Sequence, residues 1–190
     1  MGALERVVQA LSEVKRVDFL PKESKIYADL DQPLHIGFNQ TNSQPTTVIT
    51  MLSLLDIRVG DSILDVGSGS GWTTALLAYL TGPKGRVVGV EKILQLVKFG
   101  KKNLSAYSFS WAKILKSDEG VIGWPSEGPY DKILVSATSQ SIPDDLINQL
   151  RCGGKMVLPI QNSVYLLDKK DSGDLKTTEF PGFAFVPLVP

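Results

Sequence analysis

The stretch Ser62-Ile63-Leu64-Asp65-Val66-Gly67-Ser68-Gly69-Ser70-Gly71-Trp72-Thr73 constrains this chain more than any other. An apolar run closes on Asp65 and Val66 and breaks into glycines at every second position. It then reopens as the helical pattern Thr73-Thr74-Ala75-Leu76-Leu77-Ala78-Tyr79-Leu80. Strand, tight glycine turn and helix start, in that order, form the unit with which an open α/β sheet holds a nucleotide-like ligand.

The pattern on either side agrees. Leu4, Val7, Val8, Leu11 and Val14 have helical spacing up to about Lys15, and Pro21 ends that segment. Residues from about Lys22 to Thr41 carry Pro33, Gly37 and Asn39 among scattered apolar side chains and read as a long, mostly irregular arm. Ser43-Gln44-Pro45 then starts a helix through Val48, Ile49, Met51, Leu52 and Leu55, with proline at the first turn. Strands are expected at Ser62 to Val66, Arg86 to Val90, Ala112 to Leu115, Lys132 to Ser136, Lys155 to Ile160, Val164 to Lys169 and near Phe183 to Val189. Helices fall between the early ones, at Trp72 to Leu80, Ile93 to Leu104 and up to Leu150.

That alternation predicts a doubly wound, mostly parallel α/β sheet with right-handed crossovers, antiparallel strands at one edge and an N-terminal cover. At 190 residues the chain fits one domain. Within it, residues 1–45 form the cover and arm, 46–160 the α/β core and 161–190 the last strands.

Twenty basic and twenty acidic residues cancel, so the charge balance offers no footprint for nucleic acid. Lys98, Lys101 and Lys102 read as a solvated helix face. One cysteine and one histidine leave no internal disulfide and no cysteine-rich metal site. No apolar run approaches the ~20 residues that cross a bilayer. The expectation is a cytoplasmic monomer with no metal and neither a membrane nor a nucleic-acid partner.

Glycine spacing and charge separate two candidate cofactors. A dinucleotide loop is typically G-x-G-x-x-G, with a pyrophosphate on the helix N-terminus. Here the spacing is Gly67-x-Gly69-x-Gly71, and Asp65 puts an anion at its mouth, where a pyrophosphate would be repelled. The same carboxylate suits the cationic end of S-adenosylmethionine, with Gly67, Ser68, Gly69 and Gly71 as its seat. Glu91, at the end of the following strand, is placed to accept the ribose hydroxyls, beside Lys92. Glu119 and Gly120, in the loop after the next strand, are placed to meet the adenine. A Rossmann dehydrogenase is disfavoured by the loop spacing and Asp65; a cofactor-binding module without turnover remains open.

Asp65 through Thr73 resembles the first motif of the protein-L-isoaspartate O-methyltransferases, which belong to the class I S-adenosylmethionine-dependent methyltransferases. Pro33-Leu34-His35-Ile36-Gly37 with Gln40-Thr41-Asn42-Ser43-Gln44-Pro45 resembles that family's substrate segment. Gly123-Trp124-Pro125, Pro129 through Val135, Ile142-Pro143, Gly153-Gly154 and Phe185-Val186-Pro187-Leu188 continue the likeness. Asn42 stands where the family usually has an apolar residue, and Phe38-Asn39 where it has a small, glycine-containing pair.

The resemblance implies a seven-stranded Rossmann-like methyltransferase sheet. It also implies methyl transfer from S-adenosylmethionine to the carboxylate of isoaspartyl residues in damaged proteins and peptides. Ser43 is then the residue that orients the attacking carboxylate, with Thr41, Asn42 and Ile36 on the substrate side. The alternative for Ser43 is an ordinary helix cap. A related enzyme acting on another carboxylate or peptide is the neighbouring reading. His35 is more simply a packed or surface side chain than a substrate contact.

Overall fold

The computed structural model describes residues 2–188. Its order is α1 (Ala3–Glu13), two 3-10 turns (Arg16–Phe19 and Lys22–Tyr27), β1 (Leu34–Gly37), β2 (Gln40–Asn42) and α2 (Pro45–Leu55). There follow β3 (Ser62–Val66), α3 (Trp72–Thr81), β4 (Arg86–Glu91), α4 (Leu94–Leu104), β5 (Ala112–Lys116) and β6 (Tyr130–Val135). The chain closes with α5 (Asp144–Gln149), β7 (Leu150–Ile160), β8 (Ser163–Lys169) and β9 (Leu175–Pro181).

Seven strands form one sheet in the order β5-β4-β3-β6-β7-β8-β9. β3 through β7 run parallel, and β8 and β9 return antiparallel at one edge. Strand β3 is flanked by β4 on one side and β6 on the other, so the order reverses there and the glycine loop leaves from the switch point. The parallel strands are apolar on both faces because both faces are covered. Ile63, Val87, Leu134 and Val157 pack with α1 to α4 on one face, whereas Leu64, Val88, Ile133 and Met156 pack with α5 on the other.

Three expectations are corrected. The arm is not irregular: β1 and β2 pair as an antiparallel hairpin. Its two-residue turn, Phe38 and Asn39, has φ of 55° and 56°, the left-handed pair of a type I′ turn that matches strand twist. The last strand is Leu175–Pro181 rather than the apolar run near Phe183. That run leaves the sheet and crosses back toward β6, where Thr138 and Pro187 form an isolated bridge; Val189 lies outside the described residues. Finally, β7 begins at Leu150, and the Gly153-Gly154 signal is a bulge inside the strand that shifts register between Tyr130 and Lys132.

The N-terminal cover is held by a stripe on α1 and by aromatic side chains. Val7, Ala10 and Val14 are buried, while Leu4 and Val8, though at apolar positions of the pattern, face solvent. Trp72 Nε1 donates to the Val14 carbonyl at 3.2 Å, tying the end of α1 to the start of α3. The ring of Phe19 stacks on Tyr107 at 5.6 Å, and the Tyr107 hydroxyl donates to Asp18 at 2.7 Å.

Candidate active site

A cavity of about 320 Å³ opens beyond the carboxyl ends of β3, β4 and β6. Its first wall is Gly67 to Ser70, with Trp72 and Thr73 at the opening of α3. Gly67, Gly69 and Gly71 all have positive φ, at 79°, 52° and 91°, which L side chains adopt only at a cost. Gly71 has a second constraint, since a Cβ there would lie 2.9 Å from Ile114 Cδ1 and 3.1 Å from the Gly100 carbonyl. Alternate glycines thus serve both the turn and the packing of α3 against α4.

Glu91 braces this wall. It is 8% exposed, its Oε2 accepts from Gly69 N at 2.9 Å, and its Oε1 accepts from Ile93 N at 2.9 Å. Each carboxylate oxygen keeps a further acceptor site, so Glu91 can take hydroxyls from the cavity while holding the loop. Lys92 and Ile93 line the cavity beside it.

Asp65 is placed differently from the sequence expectation. It is wholly buried and absent from the cavity wall. Its Oδ2 accepts from the Thr73 and Thr74 hydroxyls at 2.8 and 2.6 Å, beneath the N-terminus of α3. Burial pushes its carboxyl up to about 6; the threonine hydrogen bonds oppose that, and the nearby Glu91 charge adds to it. Asp65 therefore shapes the loop from below through Oδ2, while its Oδ1 is buried without a partner.

Glu119 and Gly120 are likewise corrected. Both are exposed and outside the cavity wall, which on that side is built by Ser117, Val121, Ile122 and Gly123. Ser117 N donates to the Glu91 carbonyl at 3.0 Å, and the chain then turns outward through Asp118 to Gly120, where φ is 72°. Gly71 also lies outside the cavity wall; it serves the turn and the packing of α3 against α4. Ser136 and Ala137 form the floor, and Val186, Pro187 and Leu188 close the remaining side. Two hydrogen bonds dock that closing segment, Thr138 N to the Val186 carbonyl at 2.8 Å and Leu188 N to the Thr138 carbonyl at 2.7 Å. The Phe185-Val186-Pro187-Leu188 likeness was the signal that could have placed these residues in the site.

The facing wall is the arm. Ile36, Gln40, Thr41, Asn42 and Ser43 all line the cavity, so the structure brings together the predicted substrate residues and the loop. His35 is exposed and lines nothing. Ser43 is not the helix cap: that position is Gln44, and no side chain of the cap residue bonds the helix. The first turn is instead capped from the arm by Asp31, whose Oδ1 accepts from Thr46 N at 2.9 Å and whose Oδ2 accepts from Thr46 Oγ1 at 2.6 Å. Those bonds hold the exposed Asp31 carboxyl below its usual range.

Arg16 is the residue that sequence reasoning missed. It is 7% exposed, and its guanidinium donates to the carbonyls of Ala28, Leu30, Gln32, Asn42 and Ser43 and to Asn42 Oδ1. It also lies 5.5 Å from the centroid of the Trp72 ring. Burial brings it down to about 10, partly offset by Asp31, so it stays charged at neutral pH.

The cavity fits an adenosyl sulfonium cofactor on three observations. Ser68 lines it, and the hydroxyl of that residue is buried without a partner. Glu91 offers a carboxylate at the middle, and Val121 and Ile122 offer an apolar end. Sheet order and cavity position together define a Rossmann-like methyltransferase fold. A solved protein-L-isoaspartate O-methyltransferase superposes with a TM-score of 0.88 at 25% identity, covering 98% of this chain and 62% of that one. A Plasmodium falciparum beta-aspartate methyltransferase, solved with S-adenosyl-L-homocysteine, shares the fold with a TM-score of 0.84 at 24% identity, covering 97% and 90%.

Residues 2–190 match the family model described as protein-L-isoaspartate(D-aspartate) O-methyltransferase (PCMT), and the chain belongs to that family. The protein-L-isoaspartate O-methyltransferase of Methanopyrus kandleri is 41% identical over 189 residues, 97% of this chain and 83% of that protein. The enzyme of the same name from Methanothrix thermoacetophila is 41% identical over 186 residues, 97% of this chain and 88% of its own length.

Proposed function

We propose that this chain transfers a methyl group from S-adenosylmethionine to the carboxylate of L-isoaspartyl residues in damaged proteins and peptides, the first step of their repair. The observation that carries the reading is the juxtaposition of Ser43 with the glycine loop across one cavity, with helix capping done elsewhere by Asp31.

When bound, the cofactor supplies an electrophilic methyl on a sulfonium. Gly67, Ser68 and Gly69 would seat its aminoacyl end, Glu91 would accept from the ribose hydroxyls, and Val121 and Ile122 would border the adenine. The Ser43 hydroxyl donates to the substrate carboxylate and orients it, with Thr41 beside it. A carboxylate is ionised near neutral pH, so it attacks without a general base. Holding nucleophile and methyl in line then provides the catalysis. Val186 to Leu188 close the site over the substrate and exclude water.

The same reading takes the chain as one catalytic domain working as a cytoplasmic monomer. Its single cysteine fits a reducing compartment, and its balanced charge fits peptide rather than nucleic-acid partners. No helix among the described residues is long and apolar enough to cross a membrane.

The test is transfer of labelled methyl to an isoaspartyl peptide and to its aspartyl twin. The reading expects label on the first and not on the second. Label on neither, with cofactor bound, would overturn it, and equal label on both would move it to another carboxylate specificity.

A further inference from the structure

Hairpin and glycine loop meet at one side chain whose two polar ends are both in use. Asn42 ends β2 and is 5% exposed. Its Nδ2 donates to Ser70 Oγ at 3.2 Å, and its Oδ1 accepts from Arg16 Nε at 2.8 Å. An apolar residue of the same size would make neither bond. On the loop side, the Ser70 carbonyl accepts from Asn103 Nδ2 at 3.0 Å. On the arm side, Arg16 Nη2 donates to the Asn42 and Ser43 carbonyls at 3.2 and 3.0 Å. A second contact runs in parallel, since a Cβ built on Gly69 would lie 3.2 Å from Ile36 Cδ1.

A buried amide satisfied at both ends favours one placement of the groups it joins, because any other leaves a donor or acceptor unpaired. Displacement of Ser70 is therefore felt at Asn42, and displacement of Asn42 at the backbone of Ser43. We propose that Asn42 is a positioning residue that couples the two walls: filling the glycine loop fixes Ser70, and through Asn42 and Arg16 this sets the position of Ser43. The inference rests on the reading that the loop wall takes the cofactor and the arm wall the substrate. It also reassigns Asn42, whose amide is spent on the protein rather than on substrate.

Coupling of this kind is a ratio between two states, and generic destabilisation does not mimic it. The test is amide hydrogen exchange of residues 34–43 in the full chain, with and without saturating S-adenosylhomocysteine. In the unsubstituted chain the product cofactor slows hairpin exchange by roughly tenfold, within the usual span of site-to-site coupling. In Asn42→Leu that slowing falls below about twofold, although residues 67–71 remain protected by the ligand. A merely structural role would raise exchange in both states and leave the ratio intact. Should Asn42→Leu fail to fold, Ser70→Ala removes the same hydrogen bond from the loop side and must give the same loss.

Equal slowing in the variants and the unsubstituted chain overturns the proposal. So does a hairpin indifferent to ligand while the loop is protected, and a loop that the ligand does not protect overturns both this inference and the cofactor reading. Ligand-dependent hairpin protection that Asn42→Leu abolishes, in a chain that methylates no isoaspartyl peptide, keeps the coupling and discards the proposed substrate. Methylation with an uncoupled hairpin does the reverse.

Discussion

Across the cavity, the loop wall is built from backbone at strand ends, whereas the arm wall hangs on one buried guanidinium. Gly67 N and Ser68 N both donate to the Val90 carbonyl, and Gly69 N donates to Glu91, so the loop is pinned to the neighbouring strand at the centre of the sheet. The arm has only a two-stranded hairpin of its own, and Arg16 gathers its carbonyls from positions 28 to 43. A wall made of sheet backbone resists single side-chain changes; a wall gathered by one side chain does not. The carboxylates on the two sides differ in the same sense. Asp65 is raised by burial under the loop, and Asp31 is lowered by hydrogen bonds at the surface of the arm.

The contrast is broken most severely by Arg16→Met. Removing the guanidinium that serves five backbone carbonyls, the Asn42 carbonyl among them buried, costs about 3 kcal/mol or more, and the arm should lose its place. Methyl transfer is expected to fall more than roughly 100-fold, about the loss when a positioned reactant is misplaced. Affinity for S-adenosylhomocysteine, measured by calorimetry, should fall by no more than roughly tenfold, the share carried by the coupling between the walls. A matching collapse of cofactor affinity would mean the walls are one unit.

Glu91→Ala attacks the other side. It removes the acceptor for Gly69 N and Ile93 N together with the proposed ribose contact, and cofactor affinity should fall roughly tenfold to a hundredfold. Unchanged binding by calorimetry would place the ribose elsewhere.

Asp65→Asn tests the buried carboxylate by pH. The folded value of about 6 lies above the ordinary 3.8, so the native state holds this proton more tightly than the unfolded chain. The stability it contributes is present below 3.8 and is lost as pH rises through about 6. Relative to the unsubstituted chain, the Asn variant should therefore gain in Tm across that window and stay ahead by roughly 5 °C above it. A Tm gap independent of pH would contradict this.

Asp31→Ala should show the smallest effect and the opposite sign. The folded carboxyl is lowered, so its cap is in force above the unfolded value and is lost as pH falls through the folded one. The variant should lose a degree or two of Tm at neutral pH, with the deficit closing in acid. A deficit that persists in acid would show that the Asp31 charge is not what caps α2.

How much of each wall could be read from sequence follows from how it is built. Alternating glycines and twice-buried strands impose residue types, so β3, the loop, α3 and Glu91 were legible. Arg16 was not, because its partners are mostly backbone carbonyls, which carry no residue signature. The hairpin was hidden because Phe38-Asn39, rather than Asn-Gly or Asp-Gly, makes its turn. Strand β9 was hidden because six of its seven positions are exposed, so no apolar alternation marks it; the apolar run after it supplies Phe183, Phe185 and Leu188 to the flanks of the core. Glu119 was misplaced because spacing along a loop does not say which way the loop turns.

The division between walls is tested most directly by Ser43→Ala at saturating S-adenosylmethionine, measured as single-turnover methyl transfer to an isoaspartyl peptide alongside calorimetric cofactor affinity. Transfer should slow by roughly 100-fold while affinity for S-adenosylhomocysteine stays within about twofold, since Ser43 touches the substrate wall alone. Transfer at the unsubstituted rate, or an equal loss in cofactor affinity, would contradict the account.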